Sequence, residues 1–339
     1  MTGISGPGPL NLITDVAGIR VGNAEDHDML TGVTVIRPDG PMVAAADIRG
    51  GAPGTRETPA LDPENLVDEI HAIVLAGGSV FGLDAASAVT WQLARAGIGY
   101  RFGDQPWACP VVPAAILFDL MNGGRKDWDG APPYGQMGAR ALDAASLQFE
   151  LGNRGAGTGA VSGAIKGGLG SASAGWNGFT VGALVAVNSV GSPGDARNGA
   201  LWSAAHAEGG EMGTPPGRPL PLLGRLKTDR TPDAAAPGAN TTIAVVATDA
   251  RLTKAEARRL AIMAADGLSI AIRPLHTPFD GDTVFAAATG RLELSGNRAL
   301  AVAGLGHAAA LALARAAGRA IWHAASTRQH ICYRDLIGS

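Results

Sequence analysis

Glycine is the residue type that most constrains the fold of this chain. It occupies 49 of the 339 positions, in a chain that is 46% hydrophobic and only 17% charged. Because glycine has no Cβ, such frequent use without a collagen-like period indicates tight turns and close approach of backbones inside a packed protein. A chain of this length and hydrophobicity can bury a substantial core as a globular protein.

Charge and cysteine content exclude several classes of function. The formal net charge of -3 gives no basic surface for nucleic acids or anionic membranes, so we expect neither as a partner. No uninterrupted apolar run of about 18 residues is present, which predicts that no segment spans a membrane. Cys109 and Cys332 lie far apart without a CxxC or zinc spacing, and the N-terminus lacks the pattern of a signal peptide. These features predict a reducing, cytoplasmic location.

The first half of the chain alternates short apolar runs with glycine-rich turns. The runs GVTVIRP and PMVAAADI are typical of strands. A buried strand is predicted at 73–76, followed by a Gly77-Gly78 turn and a helix from about 83 to 97. A further strand is predicted at about 179–190.

In the second half, a proline-rich stretch without periodicity separates two ordered regions. We call residues 214–240 the linker; a loop of this length inside a compact domain indicates a functional or mobile segment. No internal repeat is visible. The elements predicted after the linker are a strand at 242–248, a helix from the Thr253/Glu256 capping box to about Asp266, strands at 269–274 and 283–289, and a long alanine-rich helix at 298–325. The whole pattern predicts a mixed α/β protein.

The linker ends at Asn240, and a β-branched strand begins at once with Thr241. A threonine hydroxyl is a weak nucleophile until a base activates it. If the Asn240–Thr241 bond were cut, the freed α-amine of Thr241 would supply that base, because an α-amine titrates near pH 8. Threonine is also an ordinary residue at the start of a strand, so the junction alone leaves both interpretations open.

Several motifs together resemble the DmpA-type peptidase family. That family comprises L-aminopeptidase/D-esterases, β-aminopeptidases and 6-aminohexanoate-oligomer (nylon-oligomer) hydrolases. The matching motifs lie in the family's order over most of the chain: RGGAPGTRET, VLAGGSVFGLDAAS, VPAAILFDL, GAGTGAVSGAIKGGLGSAS and the region from GANTTIAVVATDARLTKAEARR to HTPFDGDTVFAAATG. The resemblance implies an αββα four-layer sandwich like that of N-terminal-nucleophile hydrolases.

The resemblance also implies how this single hydrolase domain, residues 1–339, would mature. It implies self-cleavage between Asn240 and Thr241, giving an α chain (1–240) and a β chain (241–339) that stay associated. Thr241 falls at the position of the nucleophile. The resemblance further implies a homo-oligomer such as a tetramer, and we expect no cofactor.

Two further positions match functional residues of the family. Asn188, in AVNSVG, matches an asparagine whose side-chain amide steadies the oxyanion. Its alternative interpretation is a turn residue at a strand end. Lys166, in AIKGGLG, matches a lysine near the nucleophile of the nylon-oligomer hydrolases. Its alternative interpretation is a solvated loop lysine.

Asp280 and Asp282, in FDGDTVF, match an acidic pair of the nylon-oligomer hydrolases. Two such carboxylates could orient an ammonium, either that of Thr241 or that of a substrate. A hard cation needs more oxygen ligands than the neighbouring residues supply, so we expect no metal site. Without the resemblance, Asp-Gly-Asp would be interpreted as a plain turn before a strand.

Two positions are candidates for the substrate pocket. Phe118 stands where the nylon-oligomer enzyme has a tyrosine, which removes a hydroxyl from the pocket. Ser79, after the Gly77-Gly78 turn, is interpreted as a turn residue that lines the pocket. The substitution at 118 weakens any transfer of substrate preference from those enzymes.

Other chemistries lack their sequence context. The run from Gly155 to Ala160 fits a loose dinucleotide fingerprint, but the residues after it are too rich in glycine for the required helix. No Gly-x-Ser-x-Gly or HExxH motif occurs. Together with the resemblance to the DmpA-type family, the sequence predicts a self-processing N-terminal-threonine amide hydrolase acting on a small amine-bearing peptide or amide. The alternatives are an endo-acting 6-aminohexanoate-oligomer hydrolase and a non-catalytic small-molecule-binding protein that is never cut.

Overall fold

A computed structural model describes residues 3–229 and 240–338 of the chain. The strands form a six-stranded, a five-stranded and a two-stranded sheet. The strands are β1 (Ile4–Ser5), β2 (Ile19–Asp26), β3 (Thr31–Pro38), β4 (Val43–Ile48), β5 (Thr55–Arg56), β6 (Ile73–Ala76), β7 (Ala114–Ile116), β8 (Val161–Ser162), β9 (Ile165–Lys166), β10 (Gly168–Trp176), β11 (Phe179–Asn188), β12 (Thr241–Ala250) and β13 (Thr283–Leu292). The α-helices are α1 (Asp84–Arg95), α2 (Tyr134–Asp143), α3 (Lys254–Ala271), α4 (Arg298–His323) and α5 (Tyr333–Gly338).

The six-stranded sheet has the order β1-β10-β11-β12-β13-β4, and the five-stranded sheet has the order β2-β3-β6-β7-β5. Strand β12 pairs antiparallel with β11 and parallel with β13. The parallel pair needs a crossover connection, which α3 supplies. Strand β12 therefore lies near the centre of the larger sheet. Its first residue lies where β11 ends.

Three hydrophobic cores separate four layers. Along β12, Ile243 and Val245 face a core between the two sheets, whereas Ala244 and Val246 face a core shared with α3 and α4. A third core packs α1 and α2 on the outer face of the five-stranded sheet. This alternation follows from the two-residue period of a strand buried on both faces. The order helices, sheet, sheet, helices confirms the predicted αββα sandwich.

Glycine permits the close packing of the outer layer. A Cβ added at Gly170 of β10 would lie 2.0 Å from the carbonyl oxygen of Ala316 in α4. A Cβ at Gly267 of α3 would lie 2.1 Å from the carbonyl oxygen of Ala310. Any larger residue at these two positions would separate the elements, so glycine sets the distance of α4 from β10 and from α3.

The strand predicted at 269–274 is wrong, because α3 continues to Ala271. The alternation of Ile270 and Ile272 with less apolar residues imitates a strand. Ala264, Leu268 and Ala271 are nevertheless buried at helical spacing against α4, so tertiary packing overrides the local β-propensity. The capping box predicted at the start of this helix is confirmed.

The linker is only partly the loose loop that its composition predicts. In its described part, Leu220 and Leu223 are buried, and short 3-10 turns form at Pro221–Gly224 and Lys227–Asp229. The remaining predicted linker residues, 230–239, lie outside the described part of the chain.

Helix α4 is long and apolar enough, by length and composition, to cross a membrane. Most of it is buried, however, and it packs against β10, β11 and α3. Within the described residues it is the core helix of the outer layer. Arginine and histidine interrupt its alanine-rich stretch, so the helix contains no uninterrupted apolar run of about 18 residues.

Candidate active site

Strand register brings the predicted junction residues together. Thr241, the first residue of β12, pairs directly with Asn188, the last residue of β11. The residue before it, Asn240, forms a parallel bridge with Asp280 in the loop that precedes β13. Asn188, Asn240, Thr241 and Asp280 are all buried. Three segments distant in sequence therefore meet at one end of the central strand.

Two donors converge on the carbonyl oxygen of Asn240. One is the Thr241 hydroxyl, and the other is the backbone N–H of Gly281, at 2.9 Å. A Cβ added at Gly281 would lie 2.8 Å from the Thr241 hydroxyl oxygen and 2.7 Å from the carbonyl oxygen of Ala52. The middle glycine of Asp-Gly-Asp therefore allows the loop to approach the Asn240–Thr241 peptide closely.

The Asp282 carboxylate joins the nucleophile strand to the loop before β13. Its Oδ1 accepts the backbone N–H of Thr242 at 2.7 Å. Its Oδ2 accepts the backbone N–H of His276 at 3.0 Å and lies 2.9 Å from Nδ1 of the same histidine. The Nε2 atom of His276 is buried and makes no hydrogen bond within the described residues. Asp282 therefore fixes the residue directly after Thr241.

The Asp280 carboxylate is equally buried. Its Oδ2 accepts the backbone N–H of Thr277 at 3.0 Å and the Thr277 hydroxyl at 2.5 Å, and its Oδ1 accepts the N–H of Val190 at 3.2 Å. Burial and the nearby charge of Asp282 raise the pKa of Asp280, although these hydrogen bonds oppose the rise. The pair is thus buried and hydrogen-bonded to three other segments of backbone, which is more than a plain turn before a strand requires.

The Asn188 side chain lies in a dense hydrogen-bond network. Its Oδ1 accepts from Asn122 Nδ2 at 2.8 Å, from the backbone N–H of Val161 at 3.0 Å and from Lys227 Nζ at 3.0 Å. Its Nδ2 donates to the carbonyl oxygen of Phe118 at 3.1 Å. Three donors on the oxygen fix the orientation of the amide, because a flipped amide would place its NH₂ group against them.

Lys166 is buried, so its interpretation as a solvated loop lysine is wrong. Its Nζ donates to the carbonyl oxygens of Gly157 at 3.2 Å and of Ala160 and Gly167 at 2.8 Å. Burial lowers the pKa of Lys166 from its ordinary value of 10.5 to about 7. Two of these acceptors, Gly157 and Ala160, lie in the glycine-rich loop directly before Val161. The backbone N–H of Val161 in turn donates to Asn188.

We expect this buried lysine to make stability depend on pH in a defined direction. Between pH 7 and 10.5 the unfolded state binds a proton on Lys166 that the folded state has already lost. The free energy of unfolding of the wild type should therefore rise with pH in this window, by up to about 1.4 kcal/mol per pH unit for this group. Urea midpoints at pH 7, 8 and 9 measure the rise.

The comparison variant for that measurement is Lys166→Met. It should be less stable throughout, because three carbonyls lose their donor, but its stability should rise less steeply with pH. An equal rise of the unfolding free energy with pH in the wild type and in Lys166→Met would contradict the expectation.

The two residues predicted for the pocket lie beside the Asn188 network. Phe118 is half-buried and touches Asn188 through its backbone carbonyl. Ser79 is half-buried with a φ of 53°, in the left-handed region, and its N–H donates to the carbonyl of Leu117 at 3.0 Å. Asp119, the residue after Phe118, is fully buried and its carboxylate accepts the N–H of Gly78 at 2.9 Å. Asp119 thus ties the Gly77-Gly78 turn to the Phe118 segment.

Sequence reasoning missed several residues of this site. They are Asn122, Asp119, Lys227, His276, Thr277 and Gly281. Asp119, His276, Thr277 and Gly281 lie inside motifs that were recognised for other residues. Lys227 lies in the linker, where no local pattern distinguishes it.

Two of the cavities among the described residues share part of their lining and lie outside this site. Their volumes are about 820 Å³ and 910 Å³, and both are lined in part by His27 and Asn153. None of the predicted site residues lines either cavity. Among the residues that the structure describes, no cluster of three or more His, Cys, Asp or Glu side chains is arranged to bind a metal ion.

The protein has the αββα fold of the N-terminal-nucleophile hydrolases, and solved structures of that fold superimpose on it. One is the L-aminopeptidase D-Ala-esterase/amidase of Ochrobactrum anthropi, with a TM-score of 0.70 at 23% identity over 99% of this chain and 94% of that one. Another is a Burkholderia sp. β-aminopeptidase, with a TM-score of 0.70 at 22% identity over 98% and 94%.

The chain belongs to peptidase family S58, which matches residues 11–331. This is the DmpA-type family that its motifs resemble. An uncharacterized aminopeptidase of Mycobacterium tuberculosis is 41% identical over 96% of this chain and 98% of its own length. A 6-aminohexanoate-oligomer endohydrolase of Kocuria sp. is 29% identical over 83% of this chain and 75% of its own length. The protein is therefore a hydrolase of peptide or amide bonds.

Proposed function

We propose that this hydrolase is a self-processing aminopeptidase or amidase whose nucleophile is Thr241, exposed by cleavage of the Asn240–Thr241 bond. The observation that carries the proposal is the pair of donors on one carbonyl oxygen. The hydroxyl of Thr241 and the N–H of Gly281 both reach the carbonyl of Asn240. That carbonyl is the one that an N-to-O acyl shift at this junction would attack.

Maturation would proceed by two steps. The Thr241 hydroxyl oxygen attacks the carbonyl carbon of Asn240, the C–N bond breaks, and the hydroxyl proton passes to the leaving amine. This gives an ester between Asn240 and Thr241 Oγ1. Water then hydrolyses the ester, leaving a carboxylate on Asn240 and a free α-amine on Thr241. The Gly281 N–H stabilises the oxyanion of each tetrahedral intermediate.

Turnover would use the same hydroxyl. The α-amine of Thr241 takes the hydroxyl proton as the oxygen attacks the substrate carbonyl, and then protonates the leaving amine, a role open to α-amines because they ordinarily titrate near pH 8. Asn188 lies across from Thr241 in the sheet, so its side-chain amide is the second candidate donor to the oxyanion. Water releases the acyl group from Thr241 and regenerates the enzyme.

Asp280 and Asp282 serve this site in the proposal by fixing its backbone and by supplying negative charge. Asp282 binds the N–H of Thr242 and so sets the position of the neighbouring Thr241. Two buried carboxylates next to a newly formed α-amine would favour its protonated form and orient it. A substrate ammonium is the other candidate for the same charge. Lys166 supports the glycine-rich loop behind Asn188.

We assign a small amine-bearing peptide or amide as substrate, by analogy with the relatives named aminopeptidase. The second candidate is endo-type cleavage of 6-aminohexanoate oligomers. Thr241 with Asp280 and Asp282 favours it, and Phe118, which lacks a hydroxyl, disfavours it. A panel of peptide, β-peptide, D-ester and aminohexanoate substrates separates the two.

In this proposal the enzyme is a cytoplasmic homo-oligomer of cleaved chains. Both cysteines, Cys109 and Cys332, are free thiols, which fits a reducing compartment. Trp91 and Trp107 lie on the surface with ring centroids 5.1 Å apart and are each about half exposed, an arrangement suited to subunit contact.

The test of maturation is the size of the purified protein. We expect two fragments of about 24 kDa and about 10 kDa, in proportion to the 34.2 kDa whole. A denaturing gel and intact mass spectrometry measure them, and the smaller fragment should begin with Thr241. A single full-length band in aged protein, with an intact Asn240–Thr241 peptide, would overturn the proposal and leave a family member that is never cut.

A further inference from the structure

The linker returns into the site through Lys227. The side chain of this residue is buried, with Nζ 3.0 Å from Asn188 Oδ1. Its backbone N–H donates to the carbonyl oxygen of Val190 at 3.0 Å. Val190 in turn donates its N–H to Asp280. Lys227 thus binds both ends of the segment 188–190, which begins with the last residue of β11.

The contact with Asn188 has a direct chemical consequence. An ammonium that donates to the oxygen of an amide withdraws electron density from the nitrogen, which makes the N–H groups stronger donors. The Asn188 NH₂ group has two hydrogens, and one of them is donated to the carbonyl of Phe118. Within the described residues the second hydrogen has no other acceptor, so it is available to the oxyanion that forms beside Thr241, the cross-strand neighbour of Asn188.

Burial lowers the pKa of Lys227 from its ordinary value of 10.5 to about 7, and two carboxylates oppose that shift. Asp119 and Asp280, on two different segments, both attract its ammonium, whereas burial disfavours the charge. Lys166 is the other buried lysine close enough to interact with it. The fold thus places the Nζ of Lys227, whose ammonium form Asp119 and Asp280 attract, at the Asn188 amide. A flexible, solvated linker lysine would make none of these contacts.

We propose that Lys227 is a positioning residue that orients and polarises the Asn188 amide, so that the linker forms part of the oxyanion-stabilising apparatus. This inference rests on the proposed function. It also implies that Lys227 keeps its contact with Asn188 after the cut.

The first test replaces Lys227 by methionine, which keeps the length of the side chain and removes its charge. We expect Lys227→Met to fold, to form the two fragments about 10- to 100-fold more slowly, and to have a kcat lower by a similar factor with little change in KM. Lys254→Met is the matched control. Lys254 is also buried, but its Nζ donates to the carbonyls of Ala60 and Asn65, away from the site.

Two further measurements separate positioning from a merely structural role. In an Asn188→Ala background, Lys227→Met should cause no further loss of kcat, because the residue that it acts through is gone. In Lys227→Ala, added ethylammonium or propylammonium should restore kcat in a saturable way, since the small cation replaces the missing one. Additive losses in the double variant, or no rescue by alkylammonium in folded Lys227→Ala, would overturn the inference.

The behaviour of the wild type distinguishes a failure of the proposed function from a failure of the role of Lys227. A wild type that forms no fragments and hydrolyses no amide contradicts the proposed function itself. A wild type that does both, with Lys227→Met equal to it in fragment formation and in kcat, contradicts only the role of Lys227.

Discussion

Thr241→Ala is expected to give a folded, uncut protein without amide-hydrolase activity, whereas Thr241→Ser is expected to cut and to turn over substrate. Alanine removes one buried hydroxyl, so the cost to stability should be small compared with the loss of the nucleophile. We expect kcat to fall by about 10⁴-fold or more. Serine retains an oxygen nucleophile beside the same N–H groups. Intact mass spectrometry follows the cut, and steady-state kinetics follow turnover.

The adjacent threonine offers a matched control. Thr242 is buried in the same strand, and its hydroxyl has no hydrogen-bond partner within the described residues. Thr242→Val removes that hydroxyl without changing the shape of the side chain, and this variant should mature and turn over like the wild type. Normal hydrolysis by Thr241→Ala would refute the assignment of the nucleophile. Loss of cleavage in Thr242→Val would show that the strand tolerates no substitution here.

The second large effect is expected from Gly281→Ala. The new methyl group would meet the Thr241 hydroxyl and the carbonyl of Ala52, so the loop must withdraw its N–H from the Asn240 carbonyl. Loss of one oxyanion donor typically slows such a reaction by about 10²- to 10³-fold. We expect fragment formation, measured by gel densitometry over time, to slow by that factor and kcat to fall with it.

Two other glycines control for the change of residue. A Cβ at Gly40 would meet no atom within 4 Å, so Gly40→Ala should cut normally. Gly170→Ala introduces crowding against α4, far from the Asn240–Thr241 bond. It therefore shows how a loss of folding stability alone affects the rate of fragment formation. If Gly281→Ala folds, as near-UV circular dichroism would show, and cuts at the wild-type rate, its N–H has no part in the reaction.

The elements that sequence could predict are those with strong local signals. The β-branched runs of β11 and β12 and the Thr253 capping box are periodic or chemically distinctive over a few residues. The strand wrongly predicted at 269–274 shows the limit of such signals, since Ile270 lies in helix α3, which packs on α4, and Ile272 is the residue that caps the end of that helix. Register between distant strands, which pairs Asn188 with Thr241, is a tertiary property that no short window contains.

Some side chains of the site could be predicted from the sequence, but its backbone donor could not. Asp280 and Asp282 stand out because paired carboxylates are unusual, and the glycine between them looks like turn material. The group that reaches Asn240 is, however, the N–H of that glycine, and every residue except proline carries such a donor. Lys227 could not be predicted for a different reason. Only the return path of the linker distinguishes it from any surface lysine.

The order of the six-stranded sheet determines how the two fragments would be held after a cut at Asn240. Strands β12 and β13 would belong to the new β chain, and they lie side by side between β11 and β4 of the α chain. Neither fragment can leave without breaking a ladder on each side, so the cleaved protein remains one body. Its unfolding, however, becomes a dissociation into two polypeptides. Refolding of a cleaved protein would then be a second-order reaction whose yield depends on protein concentration, and at low concentration the lifetime of that protein would depend on its rate of unfolding.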